Sequence, residues 1–409
     1  MCDLPPELIS SIVSYVSDDR VSLKSCLSVS TTWHLQTRPH LFRRFTFCVG
    51  FQISQSDIRR KLEIFLDITR AELGISGYVH ELEITSTSSA GTMWLLDDTL
   101  LPQILRSLTQ VQTFRLHLPR YKDSNRQWWC SADIALQSGI RHICSLPTLK
   151  SLSVQSVALP EELWTASSSL SSLCWDESIA VVPGSDKPRT SSITANNYPP
   201  LRSLDILVPD ALPHLVEKHP LSLRGLRKAR LTAPSTSLDY IPEFLNLTSA
   251  SLSELEVHIV CKSEGGFEVS GCSEKPVNLR DLQLVYYYWH DHYVACQSSI
   301  ATSLSTFLAP CIQTIELRIQ CSCEGNQHSF QFHRVLQQVD ALFSSVDSPP
   351  HGFALKSFRI LFSSLGHSSC PSHPDVKTPR DWVSFLPTLK LWHSTIDSFD
   401  LAIEIQHHI

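Results

Sequence analysis

Two short segments of the sequence combine cysteine and histidine at spacings that could bind zinc. The first, CSCEGNQHSFQFH, contains Cys321, Cys323, His328 and His333, and four thiolate or imidazole ligands are typical of a tetrahedral zinc site. However, its Cys-x-Cys pair is tighter than the usual spacing of zinc-ligand cysteines, and His333 falls in a segment with a helical pattern. The pattern therefore favours a plain strand-to-helix loop over a metal site.

The second segment, HSSCPSH, brings His367, Cys370 and His373 together. It has no fourth ligand nearby, and Cys–His catalysis would need a third group to orient the pair. Pro371 and Pro374 are typical of a loop. An enzyme built on these clusters is kept as an alternative, which predicts bound metal or a reactive thiol.

No other motif of the sequence indicates catalysis. A phosphate-binding Walker A loop, a dinucleotide fingerprint, a nucleophile elbow and a zinc-protease helix are all missing. We therefore predict a protein that is not an enzyme, with no catalytic residues, no cofactor and no metal.

Composition limits the compartment and the partners. The chain has 409 residues, 42% of them hydrophobic, so it can form real cores, and its formal charge of -6 lacks any block of like charge. Binding to nucleic acid or to a membrane is therefore not expected. The 13 cysteines are scattered, and the first residues do not resemble a signal peptide. These features predict a cytoplasmic or nuclear protein.

The first 45 residues predict three or four short helices. Pro5 or Pro6 suits a first helical turn, and apolar residues then recur every three or four positions up to Val16. Trp33 belongs to a third helix, and a last turn after Pro39 carries Leu41, Phe42 and Phe45. Roughly 40 residues is near the lower limit for independent folding, so this module needs a neighbour, either the rest of the chain or a second protein.

These residues resemble the F-box family, whose pattern is Leu-Pro-x-Glu-Leu, a later Val-x-x-x-Trp, and then leucine followed by an aromatic residue. The resemblance covers residues 4–45, and Ser30 and Thr31 depart from it where the family often has cysteine and lysine. The matching residues are Leu4, Pro5, Glu7, Leu8, Ile12, Leu23, Val29, Trp33, Leu41 and Phe42.

The resemblance implies that this module docks on the Skp-family adaptor of a cullin-RING ubiquitin ligase. The residues implied to form the docking surface and its supporting core are Leu4, Pro5, Leu8, Ile12, Leu27, Val29, Trp33, Leu41 and Phe42.

A second pattern, apolar-x-x-apolar-x-apolar, recurs from residue 78 onward. The copies that begin at 226, 252 and 279 are spaced by about 26 residues, and others are further apart. The ten copies are VHELEI (79–84), VQTFRL (111–116), LKSLSV (149–154), LRSLDI (201–206), LRKARL (226–231), LSELEV (252–257), LRDLQL (279–284), IQTIEL (312–317), LKSFRI (355–360) and IDSFDL (396–401).

Helix-like segments alternate with these copies, which predicts an α/β fold with a parallel sheet covered by helices. The helix-like segments are residues 125–143, 210–219, 294–308, 332–343 and 380–386. The spacing resembles the leucine-rich-repeat family, although the asparagine usual in that family is missing. The resemblance implies an irregular leucine-rich-repeat-like solenoid.

Three domains are predicted from these patterns. Residues 1–46 form the F-box-like helical module, 47–77 a linker that contains a helix over 56–73 stopped by Gly74, and 78–409 the repeat domain. The segment 176–200 is rich in Ser, Thr, Pro and Asn and is expected to be a surface loop.

The aromatic run VYYYWHDHY at 285–293 is the best candidate for target recognition. Aromatic and histidine side chains combine large contact area with a polar group, as interface hot spots do. Trp289, His290, His292 and Tyr293 are the predicted substrate-binding residues. The alternative is ordinary strand packing, in which Tyr286 and Tyr288 pack inside while Tyr287 and Trp289 cover a neighbouring loop.

Taken together, the sequence predicts a substrate-receptor subunit of a Skp/cullin/F-box ubiquitin ligase that binds an unknown protein target through its repeats. The rival hypothesis is a non-catalytic repeat scaffold whose N-terminal helices only cap the solenoid. The rival predicts that Leu4, Ile12 and Trp33 are buried against residues beyond 46.

Overall fold

A computed structural model of the chain describes residues 4–50, 54–71, 74–119, 128–176, 199–207, 211–234, 240–261, 276–289, 300, 304, 307, 311–322, 355–364 and 400–407. The chain divides into two compact units, Met1–Pro200 and Leu201–Ile409.

Unit 1 contains short helices followed by alternating strands and helices. Its helices are α1 Pro6–Tyr15, α2 Arg20–Leu27, α3 Thr31–Leu41, α4 Gln55–Ala71, α5 Ile75–Tyr78, α6 Ser89–Asp97, α7 Leu101–Ser107, α8 Trp128–Ser131, α9 Ile134–Cys144 and α10 Glu162–Thr165. Its strands are β1 Arg44–Val49, β2 Glu81–Ser86, β3 Thr113–His117, β4 Ser151–Gln155 and β5 Ser172–Asp176.

Unit 2 repeats the alternation, and its strands from β7 onward are longer than those of unit 1. Its strands are β6 Ser203–Ile206, β7 Lys228–Pro234, β8 Glu254–Cys261, β9 Asp281–Trp289, β10 Thr314–Ser322, β11 Ser357–Ser364 and β12 Asp400–His407. Helices α11 Ala211–Lys218, α12 Pro220–Leu223 and α13 Tyr240–Thr248 lie in its connections.

Side-chain caps fix the starts of the N-terminal helices. Asp19 caps α2 by accepting the backbone N–H of Val21 at 2.9 Å, and Ser30 caps α3 by accepting that of Trp33 at 3.4 Å. The hydrogen bonds to Asp19, first that from the Ser22 hydroxyl, lower the pKa of its carboxyl. These caps satisfy backbone donors that the first turn of a helix leaves without partners.

The end of the helical module differs from the prediction. Pro39 lies inside α3, so it does not open a separate last turn, and Phe45 lies on strand β1. Phe45 stacks on Phe65 of α4, with ring centroids 4.1 Å apart. Strand β1 therefore crosses the predicted boundary at residue 46 and joins the sheet.

All pairings within each unit are parallel and follow chain order. In unit 1, β1 pairs with β2, β2 with β3, β3 with β4 and β4 with β5. In unit 2, the pairs run in the same way from β6 to β12. Helices in the connections suit this arrangement, because a parallel pair needs a long crossover. The structure confirms the α/β class with a parallel sheet.

The register stacks the apolar positions of the motif in columns. In unit 1 the two columns are Phe45, Leu82, Phe114, Leu152 and Leu173, and Phe47, Ile84, Leu116, Val154 and Trp175. These positions alternate with more exposed ones, because successive strand residues point to opposite faces. One face of the sheet is thus buried and the other is polar.

A repeated backbone contact links neighbouring copies of the motif. The N–H groups of the second and third residues of one copy both bond to the carbonyl of the second residue of the preceding copy. Lys150 and Ser151 reach the Gln112 carbonyl at 2.8 and 2.9 Å, and Arg280 and Asp281 reach that of Ser253 at 2.9 and 3.0 Å. The contact is made by main-chain atoms, and at two copies a side chain adds to it: the hydroxyls of Ser171 and Ser253 donate to the same carbonyls, of Lys150 and Arg227, at 3.2 and 3.0 Å.

The same contact identifies two copies that the sequence analysis missed. Residues 42–47, FRRFTF, contain the first four residues of β1, and the Arg43 carbonyl accepts the N–H groups of His80 and Glu81, both at 2.9 Å. Residues 170–175, LSSLCW, form most of β5, and Ser171 and Ser172 bond to the Lys150 carbonyl in the same way. Both segments contain the full apolar spacing.

The predicted linker helix and a predicted helix of the repeat domain are present in the structure. The predicted helix over 56–73 is α4, and Gly74 follows it with φ of 128°, a conformation that glycine adopts readily. The predicted helix over 125–143 is α8 and α9, which Asp133 separates by capping α9. The predicted helices at 332–343 and 380–386 and nearly all of the loop at 176–200 lie outside the described residues.

Candidate binding surfaces

Helix α1 divides its apolar residues between two faces. Ile9 and Val13 are buried and form a small core with Leu23 of α2, against which Val16, Trp33 and Leu41 pack. The other face carries Leu8 and Ile12, with Leu4 just before the helix. The exposed fractions of Leu4, Leu8 and Ile12 are 46%, 52% and 41%. Leucine and isoleucine this exposed along one helix face form an apolar patch, which the rest of the described chain leaves open to solvent.

The residues implied to bind the adaptor fall into two groups. Leu4, Pro5, Leu8, Ile12 and Val29 are exposed. Leu27, Trp33, Leu41 and Phe42 are half-buried, and Trp33 and Leu41 support the core of Ile9, Val13 and Leu23. Five of these residues therefore lie on the surface, and the other four lie in or beside the core of the helical module.

Further exposed apolar residues of the module were missed from the sequence. Tyr15 lies on α1 three residues after Ile12 and is 93% exposed. Its spacing places it on the same helix face as Leu8 and Ile12, so the periodicity of three and four could have identified it. Val21 and Leu35 are also exposed. We name Leu4, Leu8, Ile12 and Tyr15 the α1 patch.

The departure from the F-box pattern at Ser30 has a structural role. Its hydroxyl caps α3 and holds the backbone N–H of Trp33, so the serine helps to fix the turn that presents the tryptophan to the core.

A second candidate surface is the polar face of unit 2. A groove of about 320 Å³ lies across β7 to β11. It is lined by Lys228, Ala229, Glu254, Leu255, Glu256, Asp281, Leu282, Gln283, Thr314, Ile315, Glu316, Ser357 and Arg359. Four of these residues are acidic and two are basic. We name it the unit 2 groove.

Ion pairs between neighbouring strands order the charged side chains of this groove. Lys228 Nζ lies 2.8 Å from Glu254 Oε2, and this contact raises the pKa of the lysine. Glu316 accepts hydrogen bonds from Gln283 at 3.0 Å and from Arg318, and Arg359 approaches it at 3.8 Å. Asp281 accepts a hydrogen bond from the Thr314 hydroxyl. The side chains are therefore held by one another in a fixed pattern.

A buried histidine adjoins the groove. The side chain of His258 is 8% exposed; its Nε2 lies 2.5 Å from Glu256 Oε1 and its Nδ1 lies 2.9 Å from the Tyr287 hydroxyl. Hydrogen bonding to His258, then the charge of Arg230, lowers the pKa of Glu256, although burial opposes the shift. Burial raises the pKa of Tyr287, so its hydroxyl stays protonated and is not activated as a nucleophile.

The polar face of unit 1 carries a smaller set of charges. Arg44 Nη2 lies 2.7 Å from Glu83 Oε2, and this hydrogen bond lowers the pKa of Glu83. His117 Nε2 lies 3.0 Å from the Ser153 hydroxyl, and burial lowers the pKa of this histidine. The neutral imidazole and the hydroxyl therefore serve as hydrogen-bond partners for each other.

The predicted recognition patch is described only at its beginning. Trp289 is the last residue of β9, where its backbone pairs with Ser322, and its side chain lies outside the described residues, as do His290, His292 and Tyr293. Tyr286 is buried, as the strand-packing alternative predicts, and Tyr287 is half-buried and bonds to His258.

The two possible metal clusters are likewise outside the described part of the chain. Only the backbone of Cys321 is described, in β10; Cys323, His328 and His333 are not, nor are His367, Cys370 and His373. Six described cysteines are free thiols: Cys26, Cys48, Cys130, Cys144, Cys174 and Cys311. Burial raises the pKa of Cys144 to about 12, which makes this thiol unreactive.

Comparison with known proteins gives no family assignment. No protein-family model matches the sequence, and no curated protein matches it. Among the described residues, no helix has both the length and the apolar character needed to cross a bilayer.

Proposed function

We propose that the chain is the substrate-receptor subunit of a Skp/cullin/F-box ubiquitin ligase. In this proposal α1 to α3 dock on the Skp-family adaptor, which links them to a cullin, and the strands and their connections form a leucine-rich-repeat-like solenoid that binds a protein target. The proposed compartment is the cytoplasm, the nucleus or both.

The α1 patch is the observation that carries the proposal. Leu4, Leu8 and Ile12 match the F-box pattern and stay exposed above a core made by other residues of the same helices. Burying one such side chain against a partner stabilises a complex by about 1.5–3 kcal/mol, so an adaptor that covered the patch would be held firmly.

The repeated backbone contact supports the second half of the proposal. Neighbouring copies use the same carbonyl acceptor in both units, and this regularity is typical of repeat proteins in which each unit packs on the next. Such proteins present extended surfaces for protein targets.

The proposed mechanism is proximity. The receptor forms and breaks no bonds itself. It holds a target near a ubiquitin-charged enzyme bound elsewhere in the complex, and so raises the effective concentration of a target lysine by a large factor.

The scaffold alternative rests on a different observation. Helix α3 contacts α5, and an Arg20 side-chain N–H donates to the Arg44 carbonyl of β1 at 3.2 Å, so the helices join the first strand as a cap would. The exposure of Leu4 and Ile12 is the opposite of what the alternative expects, and Trp33 packs mainly on its own module. We therefore favour the receptor.

Capture of the full chain by a purified Skp-family adaptor tests the proposal. Wild type should bind, and Leu4→Asp and Leu8→Asp should each weaken binding by roughly 30-fold or more, because each places a charge in a desolvated interface. Ile134→Asp is the matched control, since Ile134 is 80% exposed and lies on α9 away from the module. Failure of wild type to bind would refute the receptor role.

A further inference from the structure

The unit 2 groove has an ordered arrangement of charge across its strands. One row of paired positions is Lys228, Glu254, Asp281, Thr314 and Ser357. The next row is Arg230, Glu256, Gln283, Glu316 and Arg359. Within these two rows, basic residues therefore stand on the outer strands β7 and β11, and acidic residues stand on β8, β9 and β10 between them. Arg318, two residues further along β10, lies beside Glu316.

The cations of the groove are shared unevenly among the central carboxylates. Glu316 and Glu256 are engaged by Arg318, Arg359, Arg230 and His258. Glu254 and Asp281 face Lys228, which pairs with Glu254 at 2.8 Å and is attracted by both carboxylates. Among the described residues, one lysine thus serves two neighbouring carboxylates, so the part of the groove around Glu254 and Asp281 keeps a local negative surplus suited to a basic side chain.

The two cations at the ends of the groove are accessible to solvent. The side chains of Lys228 and Arg359 are 61% and 45% exposed. Exposed charges at the rim of a binding surface steer a partner and select its register. Because these two stand at opposite ends of the groove, each suits an acidic residue of the partner.

The dimensions fit an extended peptide that lies across the strands. Neighbouring strands are about 4.8 Å apart, so four steps from β7 to β11 span about 19 Å. An extended peptide advances about 3.3 Å per residue, so about six residues cover this distance. The groove volume of about 320 Å³ lies at the lower end of the range of ligand-binding clefts, which is about 300–1,000 Å³.

We propose that the unit 2 groove binds an extended segment of a target protein, about six residues long, with basic residues at its centre and acidic residues at both ends. The inference rests on the proposed receptor function and names the class of its target. The affinity depends on the order of charges along the peptide, because each charge must face an opposite charge of the groove. The net charge of the peptide alone does not determine the affinity.

Two hexapeptides of identical composition test the order directly. EGRRGE has basic residues at the centre and acidic residues at the ends, and RGEEGR has the reverse order. Both have zero net side-chain charge and read the same in either direction. Each peptide, with blocked termini and a fluorescent label, is titrated with the full chain at low ionic strength, and binding is measured by fluorescence anisotropy. Wild type should bind EGRRGE about tenfold more tightly than RGEEGR.

A charge-reversal variant identifies the site. Lys228→Glu with Arg359→Glu should remove the preference for EGRRGE or reverse it, because the acidic ends then meet like charges. Lys24→Glu with Arg60→Glu makes the same change in net charge at exposed positions of α2 and α4 and should keep the preference. Circular dichroism confirms that each variant is folded, and Lys228→Gln with Arg359→Gln gives a milder second variant.

The possible results separate this inference from the ligase proposal. It is overturned if wild type binds neither peptide, binds both equally or prefers RGEEGR, or if the charge-reversal variant keeps the wild-type preference. Leu8→Asp should lose the adaptor and keep the peptide preference. Loss of adaptor capture by wild type refutes the ligase role alone, since peptide binding is measured on the isolated chain.

Discussion

The N-terminal helices and the strands of unit 1 differ in how completely they bury their apolar side chains. On β2 to β4 every apolar position of the motif is buried, while α1 buries Ile9 and Val13 and leaves Leu8 and Ile12 exposed. Both segments look similarly hydrophobic in sequence. Exposed apolar residues of unit 1 are therefore concentrated in one short module, where a partner protein could cover them.

The strongest test of this comparison replaces one large apolar residue in each region. Phe114→Ala removes a buried ring from the middle of the sheet of unit 1, and the cavity should lower the free energy of unfolding by about 3–5 kcal/mol. Leu8→Ala removes an exposed side chain and should change it by less than about 0.5 kcal/mol. Chemical denaturation measures both, and equal losses would show that the α1 patch is part of the core.

An intermediate effect is expected in the small core of the helical module. Leu23→Ala should lower stability by about 2–3 kcal/mol, because Leu23 belongs to a small hydrophobic core that it shares with Ile9 and Val13. Hydrogen exchange should show the loss in α1 to α3 first, with β2 to β4 keeping their protection. Uniform loss of protection across both regions would mean that helices and strands unfold as one unit.

The smallest expected effect concerns the polar face of unit 1. The hydrogen bond from Arg44 lowers the pKa of Glu83 below its ordinary value of 4.5, so the contribution of Glu83 to stability is full above that pH and is lost as pH falls through the folded-state pKa. Since Arg44 is mostly exposed, Glu83→Gln should cost less than about 1 kcal/mol near neutral pH.

The Glu83→Gln difference should also disappear in acid. Denaturation measured at neutral pH and again well below the ordinary carboxyl pKa tests this, with Glu63→Gln as a control, because Glu63 is more exposed and pairs only with Arg59 on its own helix at 3.3 Å. A difference that persists in acid would assign the effect to packing instead of charge.

The strands were predictable from the sequence because the motif itself sets their periodicity. Each copy from VHELEI to LKSFRI contains the start of an observed strand, since the motif's last three positions alternate as a half-buried strand must. β1 was missed because Phe42 and Phe45 are three residues apart, a spacing that also suits a helix. β5 was missed because LSSLCW leads into a Ser-rich segment.

The binding surfaces were less predictable because they depend on long-range register. The α1 periodicity indicated a wide apolar stripe, but which half faces inward is decided by Leu23 and Trp33 on other helices. The unit 2 groove joins Lys228 to Arg359 across five strands, and their relative position follows from strand pairing and not from local pattern. No single segment of sequence contains that information.

The shared carbonyl acceptor between successive copies allows the connections between strands to differ in length. Since each joint is made by main-chain atoms at the start of a strand, it holds alignment whatever the length of the intervening segment. We therefore expect insertions and deletions between strands to leave the alignment of the strands on either side unchanged. The uneven spacing of the motif copies along the chain agrees with this expectation.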